Sequence, residues 1–339
     1  MGGRALKNTP TRRYQRKEFD EISSELVEIL NKDFSQVAIP LFYSKKESFG
    51  DADIIVDTTG FSKNMREYIE ETFSPNEIFH NGNCWSFDYK ELQVDIITTS
   101  AEHFMTNYHY LAYNDLGNFI GRIAHGLGFK YGQEGLWYEH YFKDQNIGKI
   151  SISRDYRKIF EFLELSYDRW LEGFETLEDV FEYIVQSKYF DYEMFQLKSL
   201  NKINRERNLK RASYMSFLEY IEENHKDKSY QFEDKEVSMV RAIEFFSNAN
   251  IELNIRKMEY EYCKKEYIKA KFNGGQVMRR FGLQGKELGD ALIEFKEYML
   301  EHFGGSETLS EYDYNEYILT HESELIYKHF GDFLASKEI

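Results

Sequence analysis

The sequence predicts an α+β protein, with a mixed sheet in its first half and a largely α-helical carboxy-terminal domain. Three observations predict it. Runs rich in β-branched residues, Ile54-Ile55-Val56 and Val94-Asp95-Ile96-Ile97, are interleaved with helical periodicity in the first half. From Gln196 onward apolar residues recur at helical spacing. Only 3 prolines stand against 28 Phe and 26 Tyr, the composition of compact, aromatic-rich packing without long Pro-rich linkers. The 339 residues suit about two domains, and a hydrophobic content of 42% is ample for their cores.

The elements follow in order. A basic arm, with Arg4, Lys7, Arg12, Arg13, Arg16 and Lys17, leads into an acidic amphipathic helix from Glu18 to about Asn31, together a first segment 1–34. Residues 35–43 read as an opening strand, with Pro40 near an edge or bend. A second strand starts at Asp51, a helix over 63–73 crosses over, and 78–88 holds an Asn-Gly turn between strand-like halves. Residues 92–98 complete the sheet of a second segment, 35–135. Within that segment, 107–135 is rich in Gly and small polar residues, a turn leading into a helix that ends near Gly126, with Ile120, Ile123, Ala124 and Leu127 on its apolar face. Its glycines read equally as positions for tight turns and close packing. In a third segment, 136–195, strands over 135–141 and 148–153 are joined by Lys143-Asp144-Gln145-Asn146. Helices follow over 155–165 and from Thr176, where Thr176 and Asp179 make a capping-box-like start. The last segment, 196–339, carries helices over 217–224, 238–249, 251–271 and 286–303, the last closed by Gly304-Gly305.

The chemistry gathers in Glu47-Ser48-Phe49-Gly50-Asp51-Ala52-Asp53-Ile54-Ile55-Val56. In a strand, positions i and i+2 point to the same side, so Asp51 and Asp53 face one way. Leu92-Gln93-Val94-Asp95-Ile96-Ile97-Thr98 sets a third carboxylate among apolar neighbours, where a lone charge is costly unless paired or metal-bound. Mg²⁺ suits such a set, because it takes oxygen ligands and shares them with substrate phosphates. Three carboxylates on adjacent strands can hold two metal ions for in-line phosphoryl transfer. The plainer alternative is a surface hairpin with Gly-Asp-Ala-Asp as its turn.

The same stretch resembles the Glu-Ser-x-Gly-Asp-x-Asp-hydrophobic signature of the polymerase X branch of the polymerase β nucleotidyltransferase superfamily. The resemblance covers about 39–195 and implies a nucleotidyltransferase palm at 35–135 and a thumb-like small sheet with helices at 136–195. It implies catalytic, metal-binding roles for Asp51, Asp53 and Asp95 with two Mg²⁺ ions, or Mn²⁺ in their place, Asp95 also activating the attacking 3′-hydroxyl. The family's Gly-Ser pair, which grips the triphosphate, is replaced here by Pro40-Leu41. Ser44, Lys45, Lys46, Ser48 and the Gly50 backbone N–H are the alternative donors. Between palm and thumb, Tyr113, Asn114 and Asn118 are candidate nucleotide contacts and Arg122 a candidate for phosphate. Further on, 272–292 contains Gly285-Lys286-Glu287-Leu288-Gly289 and resembles the Gly-x-Glu-Leu-Gly helix entry of bacterial-type tRNA nucleotidyltransferases and related poly(A) polymerases. In those enzymes this region belongs to the helical body and tail that hold RNA. Their Gly-Gly-x-Val-Arg-Asp motif is absent from this chain, and a glycine-permitted turn between helices explains the stretch equally.

Together these resemblances imply transfer of a nucleoside monophosphate from an NTP to a nucleic-acid 3′-hydroxyl, RNA such as a tRNA end favoured over DNA, with release of pyrophosphate. The alternatives are a polymerase X-like DNA polymerase, a small-molecule or protein acceptor, and a catalytically inactive nucleotide-binding or antitoxin-like module. About 35 residues ahead of the palm are too few for a helix-hairpin-helix DNA-binding domain and its linker.

A net charge of −16 excludes broad adhesion to nucleic acid through bulk charge. Contact would run through local patches: the amino-terminal arm, a cluster from Lys198 to Arg211, or one from Lys264 to Lys286, each of which also reads as a solvated helix face. Two cysteines, Cys84 and Cys263, make neither a zinc cluster nor a disulfide framework and point to a reducing cytoplasm. His80, Cys84 and His103 lack the spacing of a metal site and read as packing residues. The chain has no apolar run of membrane-crossing length, and its start lacks a signal-peptide hydrophobic region. Walker, His-Glu-x-x-His and nucleophile-elbow motifs are absent, and the Gly117–Gly121 spacing is too short for a dinucleotide fingerprint.

Overall fold

β-Branched and aromatic residues of the first hundred positions pair into a five-stranded mixed sheet in the computed structural model, which describes residues 5–303 and 311–337. The elements are β1 (Tyr14–Gln15), α1 (Arg16–Leu30), β2 (Val37–Ala38), β3 (Ser48–Phe49), β4 (Asp51–Asp57), α2 (Met65–Phe73), β5 (Ile78–Asn81), β6 (Cys84–Tyr89) and β7 (Leu92–Thr99). The strand order is β2-β4-β7-β6-β5, while β1 and β3 form a separate small pair. β4 and β7 run parallel at the centre and the flanking pairs are antiparallel. Ile54, Ile55 and Val56 of β4 and Leu92, Val94 and Ile96 of β7 are all fully buried. A strand covered on both faces needs such a continuous apolar run rather than an alternation. Phe19, Ile22, Leu26 and Leu30 of α1 and Tyr68, Ile69 and Phe73 of α2 join that core, and the Asn64 side chain caps α2 by accepting from the Arg66 and Glu67 N–H groups.

The opening strand is shorter than 35–43. Proline cannot donate to a ladder, and beyond Ala38 the chain leaves the sheet: Leu41 O accepts the Tyr113 N–H at 2.6 Å instead.

The chain continues as α3 (Phe104–Leu111), α4 (Leu116–Gly126), β8 (Lys130–Gly132), β9 (Gly135–Phe142), β10 (Gln145–Ser153), α5 (Tyr156–Phe162), α6 (Tyr167–Glu172), α7 (Leu177–Val185), α8 (Tyr192–Phe195), α9 (Lys202–Leu209), α10 (Ala212–Asn224) and α11 (Lys235–Phe245). Where the composition around Tyr110 predicts a turn, the chain is helical through Leu111, and the turn follows at Tyr113 and Asn114, with φ of 56° and 63°. The β9–β10 loop is also tighter than the four residues expected. Lys143 and Asp144 alone make it, both with positive φ, as a two-residue hairpin turn requires. Thr176 and Asp179 do form a reciprocal capping box on α7. Phe119 of α4 meets the rings of Phe181, Phe195, Tyr214 and Phe217, which joins α4, α7, α8 and α10 in one aromatic core.

The chain divides into two compact units, Met1–His140 with Gly148–Glu252, and Tyr141–Ile147 with Leu253–Ile339. α12 (Ile251–Lys271), α13 (Gly274–Phe281), α14 (Gly285–Phe303), α15 (Glu311–Thr320) and α16 (Ser323–Lys337) supply the helices of the second, α12 from Leu253 onward. Its core holds Phe272, Val277, Phe295, Ile318, Ile326 and Phe330. The Asn273 side chain caps α13, and Gly282 and Gly285, at φ 77° and 54°, turn the chain from α13 into α14. Arg4 and the Gly304-Gly305 helix end expected from sequence lie outside the described residues.

Candidate active site

The parallel pairing of β4 with β7 sets Asp53 directly opposite Asp95, and Asp51 sits two residues before Asp53 on the same face. One carboxylate oxygen from each of the three lies within 4.8 Å of the others. Asp51 and Asp95 are half-buried, whereas Asp53 opens onto a cleft with protein crowding its carboxyl. Burial first, then the charges of Asp51 and Asp95, hold the Asp53 carboxyl well above the usual carboxylate range. Burial also pushes Asp95 up to about 6, against a lowering hydrogen bond from Ser86 and with a further rise from Asp51. Gln93 Nε2 donates to both Asp95 oxygens, at 2.9 and 3.0 Å, while its Oε1 accepts the Ala5 N–H at 2.9 Å.

Three partly dehydrated carboxylates held this close repel one another. A divalent cation relieves that repulsion, and a donor set made wholly of carboxylate oxygen fits a hard ion such as Mg²⁺ or Mn²⁺.

Two hollows of 280 and 630 Å³ meet at Asp51 and Asp53 and also share Lys46, Asn114, Asp115 and Arg211, while Asp95 lines neither. Lys46, on the loop before β3, lies 4.6 Å from the Phe49 ring centroid and donates to Asn114 Oδ1 at 3.3 Å. Burial lowers its pKa, and the charges of Asp51 and Asp53 offset part of that.

The remaining expected contacts separate into two sets. Ser48, Gly50 and Lys45 line the larger hollow with Lys46, although Lys45 also pairs with Glu175 at 2.7 Å. Asn118 lines the smaller hollow beside Pro40 and Leu41, and its Oδ1 accepts from Arg207 at 3.3 Å. Ser44, Tyr113 and Arg122 line neither hollow. The Ser44 N–H donates to Phe174 O. Tyr113 is buried against Trp170 and Phe174 and donates its hydroxyl to Trp170 O at 3.3 Å, and Arg122 donates to Met194 O at 2.6 Å.

Several residues of the cleft carried no site expectation. Arg13 and Arg211 stood among basic clusters with nothing to separate them from solvated charge. Asp115, Ser213 and Ser216 reach the larger hollow with no motif of their own. Gln93 was the accessible one, since it lies two residues before Asp95 and so shares its face of the strand.

No protein-family model matches the chain, and no curated protein is a significant match. Among solved structures it is remotely similar to Leishmania infantum polymerase beta, crystallised as a ternary P/T complex, at 15% identity and a TM-score of 0.35 over 46% of this chain and 74% of that one.

Proposed function

We propose that this chain is a metal-dependent nucleotidyltransferase that moves a nucleoside monophosphate from an NTP to a 3′-hydroxyl, the RNA end of a molecule such as tRNA being the favoured acceptor. The observation that carries the proposal is the convergence of Asp51, Asp53 and Asp95 on one face of two parallel strands, at the mouth of a cation-lined cleft. These three carboxylates would hold two Mg²⁺ ions, or Mn²⁺ in their place, and the ions when bound supply Lewis-acid stabilisation of the acceptor oxygen and of the leaving pyrophosphate. Asp95 takes the proton of the acceptor hydroxyl at its carboxylate, a role suited by a proton affinity raised towards neutrality. Lys46, Ser48 and Gly50 face the phosphates, and Asn114 and Asn118 the sugar and base. Preference for RNA rests on the likeness of 272–292 to RNA-adding enzymes. A reducing, cytoplasmic setting accords with free Cys84 and Cys263, and no helix among the described residues is long and apolar enough to cross a membrane.

The test is incorporation of each labelled NTP and dNTP, with Mg²⁺ or Mn²⁺, into single-stranded RNA, tRNA lacking its 3′ end, and gapped DNA, beside an Asp95→Ala control. Extension of RNA that disappears in the control is the expected result. Extension confined to gapped DNA would make the chain a DNA polymerase instead.

A second reading, a binding module without turnover, draws on Pro40 and Leu41, which line the smaller hollow with no hydroxyl and one backbone N–H fewer than a Gly-Ser pair. NTP binding without extension of any acceptor would establish it.

A further inference from the structure

The larger hollow sets three cations, Arg13, Lys46 and Arg211, beside Asp51 and Asp53 of the acidic triad. Arg13 donates to Ser48 O at 2.9 Å and to Ser48 Oγ at 3.1 Å, both uncharged acceptors. Lys46 donates to the neutral Asn114 side chain. Neither is within ion-pair distance of a carboxylate among the described residues, yet both line the same 630 Å³ hollow, and Arg13 is close enough to repel the Lys46 charge. Arg211, the residue before α10, is the third cation there. One of its terminal nitrogens meets Asp115 Oδ1, and the hydroxyl of Ser213 meets the other oxygen of that carboxylate. Asp115 is only 7% exposed, so it acts as a fixed post for one corner of the guanidinium. The Arg211 side chain stays 39% exposed, and its remaining N–H donors have no other partner among the described residues. A guanidinium held at one corner and open along its other edge matches a phosphate oxygen pair. With two divalent ions on the triad, Arg13, Lys46 and Arg211 would have Glu47 and Asp115 against them in the hollow, and an extended polyanion is the ligand that balances the rest.

We propose that this chain grips the polyphosphate of its nucleotide with Arg211, Arg13 and Lys46, assisted by the Ser216 hydroxyl on α10, in place of a Gly-Ser pair on the loop after β2. The proposal rests on the nucleotidyltransferase reading for its ligand, an NTP, but the site itself is defined by the polyphosphate. Donors thus come from three distant parts of the sequence: the amino-terminal arm, the loop before β3 and the start of α10. Asp115 is a positioning residue, since it acts on the ligand through Arg211.

The experiment titrates the full chain with inorganic tripolyphosphate and with inorganic monophosphate in Mg²⁺, and measures KM for an incorporated NTP. Two variants are compared with the wild type. Arg211→Gln is combined with Asp115→Asn so that no buried carboxylate is left unpaired, and Arg13→Gln touches only Ser48. Thermal melting checks that both fold. Each variant is expected to bind tripolyphosphate about tenfold more weakly, as loss of one charged hydrogen-bonding group implies, with KM for the NTP rising by a similar factor and weak monophosphate binding little changed. Unchanged tripolyphosphate affinity in both variants, or no tripolyphosphate binding by the wild type, would overturn the site. Extension with unchanged KM in both variants would sink the site and leave the transferase standing. Tripolyphosphate binding that the variants weaken, in a protein that extends no acceptor, would keep the site and discard the transferase.

Discussion

At Asp53 the fold holds a charge against its own stability. Its proton affinity is raised by burial and by two neighbouring carboxylates, so the folded state disfavours its ionised form. For a carboxyl with a folded pKa above its unfolded value, folding stability is lost as pH rises from the unfolded value, about 3.9, through the folded one. Asp53→Asn should therefore raise the melting temperature of the metal-free protein at pH 7, while removing the stabilisation expected of Mg²⁺ in the wild type. Melting with and without Mg²⁺ checks both, and a destabilised metal-free variant would contradict the argument. For Asp95, with its pKa pushed up to about 6, protons compete with the ion below that value. Mg²⁺-dependent stabilisation should fade as pH drops through about 6, read as the melting shift across a pH series. Gln93 is the support of that carboxylate, and Gln93→Leu should weaken Mg²⁺ about tenfold, as loss of an outer-shell partner does, with the fold retained. A Mg²⁺ titration followed by melting temperature decides it. The acidic triad was legible because strand geometry is local: Asp51 and Asp53 are i and i+2, and Asp95 needed only a second apolar strand. Arg211 was not, because its partner Asp115 lies 96 residues away and no spacing rule reaches that far.

The corner between α3 and α4 explains what sequence patterning reached and missed at the level of elements. α3 buries Thr106, Asn107 and His109 beside Phe104, so its inward face does not read as apolar, and the segment looks like a turn until packing supplies partners for those polar groups. Thr106 Oγ1 and Asn107 Nδ2 both donate to Gln133 O, on the loop before β9. By contrast α12 matches its expected bounds, Ile251–Lys271, and the capping box of α7 is fixed by two residues three apart. The glycines after α3, read equally as turn or packing positions, are settled in one case by close approach. A Cβ at Gly117 would stand 2.0 Å from Tyr110 O, which no side chain tolerates. Gly117→Ala must push α4 away from α3, and α4 carries Asn118 while the corner carries Asn114 and Asp115. The variant should lose about 1–3 kcal/mol in urea unfolding, the usual cost of overpacking, and bind nucleotide more weakly. Loss of stability with nucleotide affinity intact would mean that the corner does not position the cleft.

Over the whole molecule, the separation of cores makes a stronger statement than the net charge does. A formal charge of −16 leaves nucleic-acid contact to local cations, but it does not say which unit meets a ligand. The cores do bear on this. The first unit encloses the sheet and every carboxylate of the candidate site, while Phe272, Phe295 and Phe330 anchor the core of the second. A ligand that binds only the folded first unit stabilises that unit by mass action, and a cavity cut into the second core weakens the second. Phe330 is fully buried and meets the rings of Phe272, Phe281, Phe295 and Phe333. Phe330→Ala should cost the helical unit about 3–5 kcal/mol and lower its calorimetric transition, while Mg²⁺ still raises the transition of the first unit by the wild-type amount. If the substitution abolished the Mg²⁺ shift, the metal site would depend on the helical core, and placing the candidate active site in the first unit alone would be untenable.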